Sequence, residues 1–341
     1  MIENINPLAQ GYTARGARMD DIEISVRLMN EYSQYYLGED EAPPDVIRNE
    51  WESPGFNPAT DIRLVFSKGG TAVGYVEVWT TSDPPVHPWV WWCVHPEHLG
   101  NGIGDYLLNW AEGRARQAIP KCPPETRVAY RSGAHIALIP SKKVMEAHGM
   151  VLIRHSFHML IEMESPPPKP IWPEGITLGV YHPDHIDPAD IYRANVEAFR
   201  DHFGFIEQPF KEGFERFMHF MTGDESYDPN LWFLAMDGDQ IVGICLNRKT
   251  SFESPDVGWV STLGVLRPWR RRGIALGLLR HSFGEFYHRG KRKVALGVDA
   301  ENLTGALDLY KKTGMHIHRQ FDLYEKELRP GVELGVVTLE E

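Results

Sequence analysis

The densest run of chemically useful residues in the chain is Arg270-Arg271-Arg272-Gly273-Ile274-Ala275. A glycine where a strand turns into a helix lets consecutive main-chain N–H groups face outward, and the helix N-terminus adds partial positive charge. Such a turn cradles a phosphate. It is not a Walker loop, because no Gly-Lys-Ser/Thr follows, and Gly-x-Gly-x-x-Gly is absent from the turn, so a dinucleotide fingerprint is not indicated. Downstream, Asn302 falls in the loop after an apolar run, and Tyr310 lies in the last turn of the next helix. A phenol there can bury its ring and still offer a proton to a cleft.

Holding these residues requires a strand and a helix on either side of the turn. Residues 259–265 read as an apolar strand, and 273–287 as an amphipathic helix with Leu276, Leu279, Phe283 and Phe286 on its apolar side. Residues 293–298 read as the strand that delivers Asn302. Thr304 can cap a helix over 304–313, which Gly314 closes. Upstream, a strand at 176–180, a helix over 188–200, and strands at 232–236 and 241–247 joined by the turn DGDQ complete the pattern. Antiparallel strands feeding one strand-loop-helix crossover indicate a mixed α/β (α+β) domain.

The same order of features occurs twice. VHPEHLGNGIGDYLL from Val94 aligns with VLRPWRRRGIALGLL from Val265, 171 positions later, and Gly149 aligns with Gly314 at an offset of 165. Two anchors in one order indicate duplication of a fold of about 160 residues. The run SPPPKPIWP joins the copies, since prolines lack backbone donors and favour extended geometry. The expected division is 1–164, a linker at 165–173, and 174–341. In the first copy Leu99 stands for Arg270, Ala137 for Asn302 and Met145 for Tyr310, so that copy reads as degenerate and the second as catalytic. The aromatic residues of the first copy, Trp79, Trp91 and Tyr32 among them, read as packing.

Together these residues resemble the GNAT superfamily of acyl-CoA-dependent N-acetyltransferases. Its signature, Arg/Gln-x-x-Gly-x-Gly/Ala, is met by Arg270, Gly273 and Ala275. Its later Asn and Leu-Tyr-x-x-x-Gly-Phe elements are met by Asn302 and by Leu309, Tyr310 and Gly314, with Met315 for the usual Phe. The resemblance spans the chain as a tandem pair, similar to the mycothiol synthase-like two-domain acetyltransferases. It implies two tandem GNAT domains, each a mostly antiparallel mixed sheet flanked by helices, and acetyl-CoA as cofactor. The diphosphate would be held by main-chain N–H groups of Arg271, Arg272, Gly273, Ile274 and Ala275, in the turn that Arg270 opens. Leu263 and Val265 would bond the pantetheine arm in a splayed gap between strands, Asn302 would contact that arm, and Tyr310 would protonate the departing thiolate. The implied reaction is direct attack of a small-molecule primary amine on the thioester. The strand before the turn reads WVSTLGV and lacks the carboxylate that similar enzymes can place there. The base is therefore open among Asp201, His202, Glu207, Asp256 and a water relay. Rival readings are a mycothiol synthase, an aminoglycoside-type acetyltransferase, and a non-catalytic acyl-CoA sensor or scaffold.

Composition narrows the partners. The chain has 341 residues, 42% hydrophobic and 24% charged, and its net charge of −12 repels nucleic acid and anionic membrane. No apolar stretch approaches the roughly 20 residues of a membrane span, and MIENINPLAQ has no apolar signal core, so a cytoplasmic protein is expected. The three scattered cysteines imply neither a disulfide framework nor a zinc site. His155, His158, His316 and His318, with no carboxylate or thiolate at metal-binding spacing, read as solvated strand faces. The expected partner is a small-molecule amine, and oligomeric state stays open.

Overall fold

Apolar runs bounded by Gly, Pro and Asp turns become strands, and runs with helical spacing become helices. The structure, a computed structural model, describes residues 8–302 and 305–337. The elements of the first half are β1 (Thr13–Gly16), α1 (Ile22–Leu37), α2 (Pro44–Trp51), α3 (Pro58–Asp61), β2 (Ile62–Phe66), β3 (Ala72–Trp79), β4 (Trp89–Val94), α4 (Ile103–Arg116), β5 (Val128–His135), α5 (Ile139–Ala147) and β6 (Val151–Glu162). Those of the second are β7 (Ile176–Val180), α6 (Pro188–Phe199), α7 (Phe210–Thr222), β8 (Trp232–Asp237), β9 (Gln240–Arg248), β10 (Val257–Val265), α8 (Ile274–His288), β11 (Lys293–Asp299), α9 (Ala306–Lys312) and β12 (His316–Arg329).

These elements form two compact units, neither of them contiguous. One holds residues up to His155 with Gln208–Phe220 and Phe321–Leu334; the other holds Ser156–Glu207, Met221–Gln320 and the described residues from Gly335. This differs from the expected cut at residues 165–173, because each unit takes its last strand from the other half of the sequence. In the first unit, β1, β2, β3 and β4 are antiparallel neighbours and β5 lies parallel to β4. The outer edge of β5 is closed by Phe321–Arg329 of β12. That pairing is reinforced by Arg127 and Arg131, which both reach Glu325, at 2.5 and 2.9 Å. In the second unit β7, β8, β9 and β10 are antiparallel neighbours, β11 is parallel to β10, and β6 from Ser156 to Glu162 closes β11. Cross-strand partners more than a hundred residues apart leave no local periodicity to read.

The first unit's rings pack on one another. Trp51 stacks on Tyr75, Phe56 on Trp79 at 4.0 Å, and Phe220 of α7 lies 5.9 Å from Trp79. Beneath them the buried Glu77 carboxylate accepts from the Tyr75 hydroxyl and Trp79 Nε1. In the second unit, residues 165–173 adopt no regular structure, yet Trp172 is anchored on α8, where a Cβ at Gly277 would lie 3.0 Å from its ring.

Candidate active site

Helix α8 packs on one face of the second unit's sheet through Ile274, Leu278, Leu279, Phe283 and Phe286. Leu276 is only half-buried, so the apolar stripe is rotated from the one expected. Phe286 lies over Gly258, where a Cβ would come within 2.5 Å of the ring. Burying one such ring contributes about 1.5–3 kcal/mol. Helix α6 covers the opposite face: Ala198 and Phe199 approach Gly264, where a Cβ would lie 2.8 Å from the Ala198 methyl.

Between these layers the two parallel strands part. β10 and β11 pair from Val257/Lys293 to Val260/Leu296 and no further. The parting coincides with a register shift of β10 against β9 between Val260 and Thr262, which inserts Ser261 as a bulge. The Ser261 hydroxyl is buried with no hydrogen-bond partner among the described residues. Because the Leu266 N–H bonds to the Val242 carbonyl on β9, alternation turns the main-chain groups of Leu263 and Val265 toward the gap. The Val265 carbonyl already accepts from Arg270 Nε at 3.0 Å.

The open end of the gap meets the Gly-turn. Gly273 has φ 87°, and among the described residues Arg271 is the non-glycine residue with positive φ, at 64°. Among the described residues, no hydrogen-bond partner is recorded for the main-chain N–H groups of Arg272, Gly273, Ile274 and Ala275, the donors that a helix start leaves unsatisfied. Arg270 behaves differently. Its N–H bonds to Arg267 O, Nη1 lies 2.6 Å from Asp201 Oδ2, and Nη2 donates to Ala198 O at 3.1 Å. Its side chain thus ties β10 to the end of α6.

Tyr310, 7% exposed, belongs to the same core as Cys245, Leu296 and Val298. Burial, with the nearby Cys245 thiol, raises its pKa well above that of an ordinary phenol. Among the described residues its hydroxyl makes no hydrogen bond, which is the state a proton donor to a ligand would have. Asn302 positions this helix: its Oδ1 accepts from Ala306 N at 3.3 Å. Thr304, the expected cap, lies outside the described residues, and α9 begins at Ala306 with Gly305 in the left-handed region before it.

The expected bases separate clearly. Asp201 is committed to Arg267 and Arg270; although burial pulls its pKa up, those bonds bring it below the usual carboxylate range. Glu207 is 70% exposed and faces Arg200, and Asp256 is exposed. His202 packs on Phe199 at 4.4 Å, and burial together with the Arg270 charge lowers its pKa. The charges acting on it are those of Arg270, Asp299 and Asp201. His158 corrects the reading of solvated histidines. Three positions apart on β6, His155 and His158 point to opposite faces, and each has a carboxylate partner: Asp322 for His155 at 2.8 Å and Glu253 for His158 at 2.5 Å. Sequence reasoning missed Glu253 because it lies 95 residues from its partner. Among the described residues no His, Cys, Asp and Glu cluster could hold a metal, and no helix is long and apolar enough to cross a membrane.

Parted parallel strands, a bulge, and a bare helix start at the mouth of the gap are the geometry that an acyl-CoA-dependent acyltransferase would use, and comparison with known proteins shows the family. Residues 25–129 and 190–315 match the Acetyltransferase (GNAT) family, and the chain belongs to that family. A GCN5-related N-acetyltransferase from Sphaerobacter thermophilus is 35% identical, superposes with a TM-score of 0.78, and is matched over 96% of this chain and 99% of its own. A tandem GNAT protein from the clavulanic acid biosynthesis pathway, 15% identical, shares the fold, with a TM-score of 0.69 and coverage of 94% and 99%. Among curated proteins, a mycothiol acetyltransferase of Streptomyces scabiei is 27% identical over 267 residues, 77% of this chain and 79% of that protein. The protein is thus an N-acetyltransferase with acetyl-CoA as its donor. The unpartnered N–H groups at the start of α8 and the orphaned Ser261 hydroxyl beside the gap fit a diphosphate and an amide-bearing arm.

Proposed function

We propose that the second unit transfers an acetyl group to the primary amine of a small molecule, with Tyr310 as general acid. The observation carrying this reading is the parting of β10 and β11 after Val260/Leu296, with bare N–H groups at its open end and the unpartnered Tyr310 hydroxyl beside it. The main-chain N–H groups of Arg271, Arg272, Gly273, Ile274 and Ala275 hold the diphosphate; those of Leu263 and Val265 fix the arm. Arg270 acts as a brace through Val265, Ala198 and Asp201. Asn302 sets the start of α9 and contacts the arm. Bound acetyl-CoA supplies the activated acetyl group, and Tyr310 holds the proton that the leaving sulfur needs, an interaction worth most in the transition state.

The first unit is proposed to be catalytically silent. Its turn keeps Gly100 and Gly102 at φ 76° and 73°, and β4 pairs with β5 over only two rows. However, Met145 is fully buried where Tyr310 would be, and Asp105 places a carboxylate in the first turn of α4, where it competes with a phosphate for the positive helix end. The mycothiol acetyltransferase relatives support a small-molecule acceptor. Free-thiol release from acetyl-CoA across an amine panel tests the reading: release that depends on amine and collapses in Tyr310→Phe supports it, and equal rates in the two proteins refute it.

A further inference from the structure

We propose that Val336 is a positioning residue for the amine substrate: its main chain straps the loop after α6, and that loop walls the acceptor side of the gap. This deepens the function proposed above and rests on it. Packing sets the face from which the amine comes. On the α8 side of the parted strands, Val260, Leu296, Val298 and Tyr310 are buried in one apolar core with Leu278 and Phe283 of α8. An amine crossing that core would lose its water with no hydrogen bonds in return, so it must come from the other face. Alternation turns Gly297, between Leu296 and Val298, to that face. There, among the described residues, the nearest atom to a Cβ built on Gly297 is His158 Cδ2 at 3.9 Å, so the face is open. Across the gap, Gly264 is covered by Ala198 and Phe199 at the end of α6. The segment that leaves Gly264 on the acceptor face is the loop after α6.

Both ends of this loop are tied. At its start, Arg270 donates to Ala198 O and, with Arg267, holds Asp201. Within it, the His202 N–H bonds to Phe199 O at 2.9 Å and the Phe205 N–H to His202 O at 3.0 Å, which makes two successive turns. At its far end Val336 uses both of its main-chain groups. Its carbonyl accepts from the Gly204 N–H at 2.8 Å, and its N–H donates to Phe205 O at 3.2 Å. Gly204, at φ 74°, supplies the left-handed turn that presents these groups. Loop and strap belong to the same unit, although α7 and five strands separate them in the chain.

The strap therefore fixes the half of the loop that Arg267 and Arg270 do not reach. A wall ordered before the substrate arrives reduces the entropy that binding must otherwise overcome. The Gly-turn, the strand that would hold the arm, and Tyr310 lie on α8, β10 and α9, to which Val336 makes no bond. Amine binding should thus depend on the strap, while coenzyme binding and the acid should not.

Val336→Pro removes the N–H that bonds Phe205, and Val336→Ala keeps both main-chain groups. Glucosamine, tyramine and cadaverine serve as probe amines, read with the one that wild type acetylates fastest. At saturating acetyl-CoA, Val336→Pro is expected to raise the amine KM about tenfold with kcat within about twofold of wild type. Val336→Ala should match wild type, and calorimetric CoA affinity should stay within about twofold of wild type in both variants. In the wild-type protein with CoA bound, the same amine should slow hydrogen exchange at the Gly204 and Val336 amides in parallel, because binding and strap stabilise one another. The proposal fails if Val336→Pro leaves the amine KM unaltered, if CoA affinity falls with it, or if Val336→Ala loses as much as Val336→Pro. It fails equally if the amine leaves both exchange rates unchanged. Wild-type protein that releases no thiol with any probe amine overturns the function proposed above and this role with it. An active, Tyr310-dependent enzyme whose amine KM ignores Val336→Pro overturns the strap alone.

Discussion

Arg270 Nη1 lies 2.6 Å from Asp201 Oδ2, and this pair clamps the end of β10 to the end of α6. With Nε on Val265 O and Nη2 on Ala198 O, the arginine makes three directed bonds that the single ammonium of a lysine cannot copy. Arg270→Lys and Asp201→Asn are therefore expected to lose about 1–3 kcal/mol of stability each and to weaken CoA binding through the displaced turn. Thermal unfolding and calorimetry would show the two losses together. A variant with unchanged melting temperature and lost CoA affinity would instead mean that Arg270 touches the nucleotide.

Arg271 holds φ 64° at the position where the first copy has Gly100 at 76°. A side chain in that region costs about 1–2 kcal/mol, and its retention beside a phosphate cradle indicates that the charge is used. Arg271→Gly should raise the melting temperature while weakening CoA binding several-fold. If affinity is unaltered, the cradle works through its main chain alone.

Legibility followed the range of the interactions. The Gly-turn, α8 and Tyr310 were readable because glycine, helix periodicity and a terminal tyrosine are local signals within some 50 residues of one another. The exchange of β6 and β12, and the assignment of Gln208–Phe220, which holds most of α7, to the first unit, were not. Nothing in HSFHML announces that its partner strand is KVALGVD, or that Glu253 will receive His158. For Arg270 the signature gave the position, but the direction of its guanidinium depended on Asp201, on a loop without a regular pattern.

The Tyr310 hydroxyl stays protonated through the alkaline range because burial, reinforced by Cys245, holds its pKa high. The rate should show no alkaline loss from this group near pH 10, where an ordinary phenol would ionise. Tyr310→Phe should lower kcat and kcat/KM equally, by about 10–100-fold, with little change in the KM for acetyl-CoA. A rise in that KM at constant kcat would make the hydroxyl a binding group.

His202 distinguishes stability from catalysis. Burial, then Arg270, lowers its pKa, so the folded chain refuses a proton that the unfolded chain accepts near pH 6.5. Stability is unaffected above that range and falls as pH drops through it, a slope shared with His87 and His281, whose pKa values burial also lowers. His202→Gln should flatten the melting-temperature profile between about pH 7 and 5, leaving the parts due to the other two. The ring packs on Phe199, so its protonation acts on folding and the variant should keep the wild-type shape of its rate profile. A changed rate profile in His202→Gln, with an unaltered melting profile, would instead give His202 a part in proton transfer.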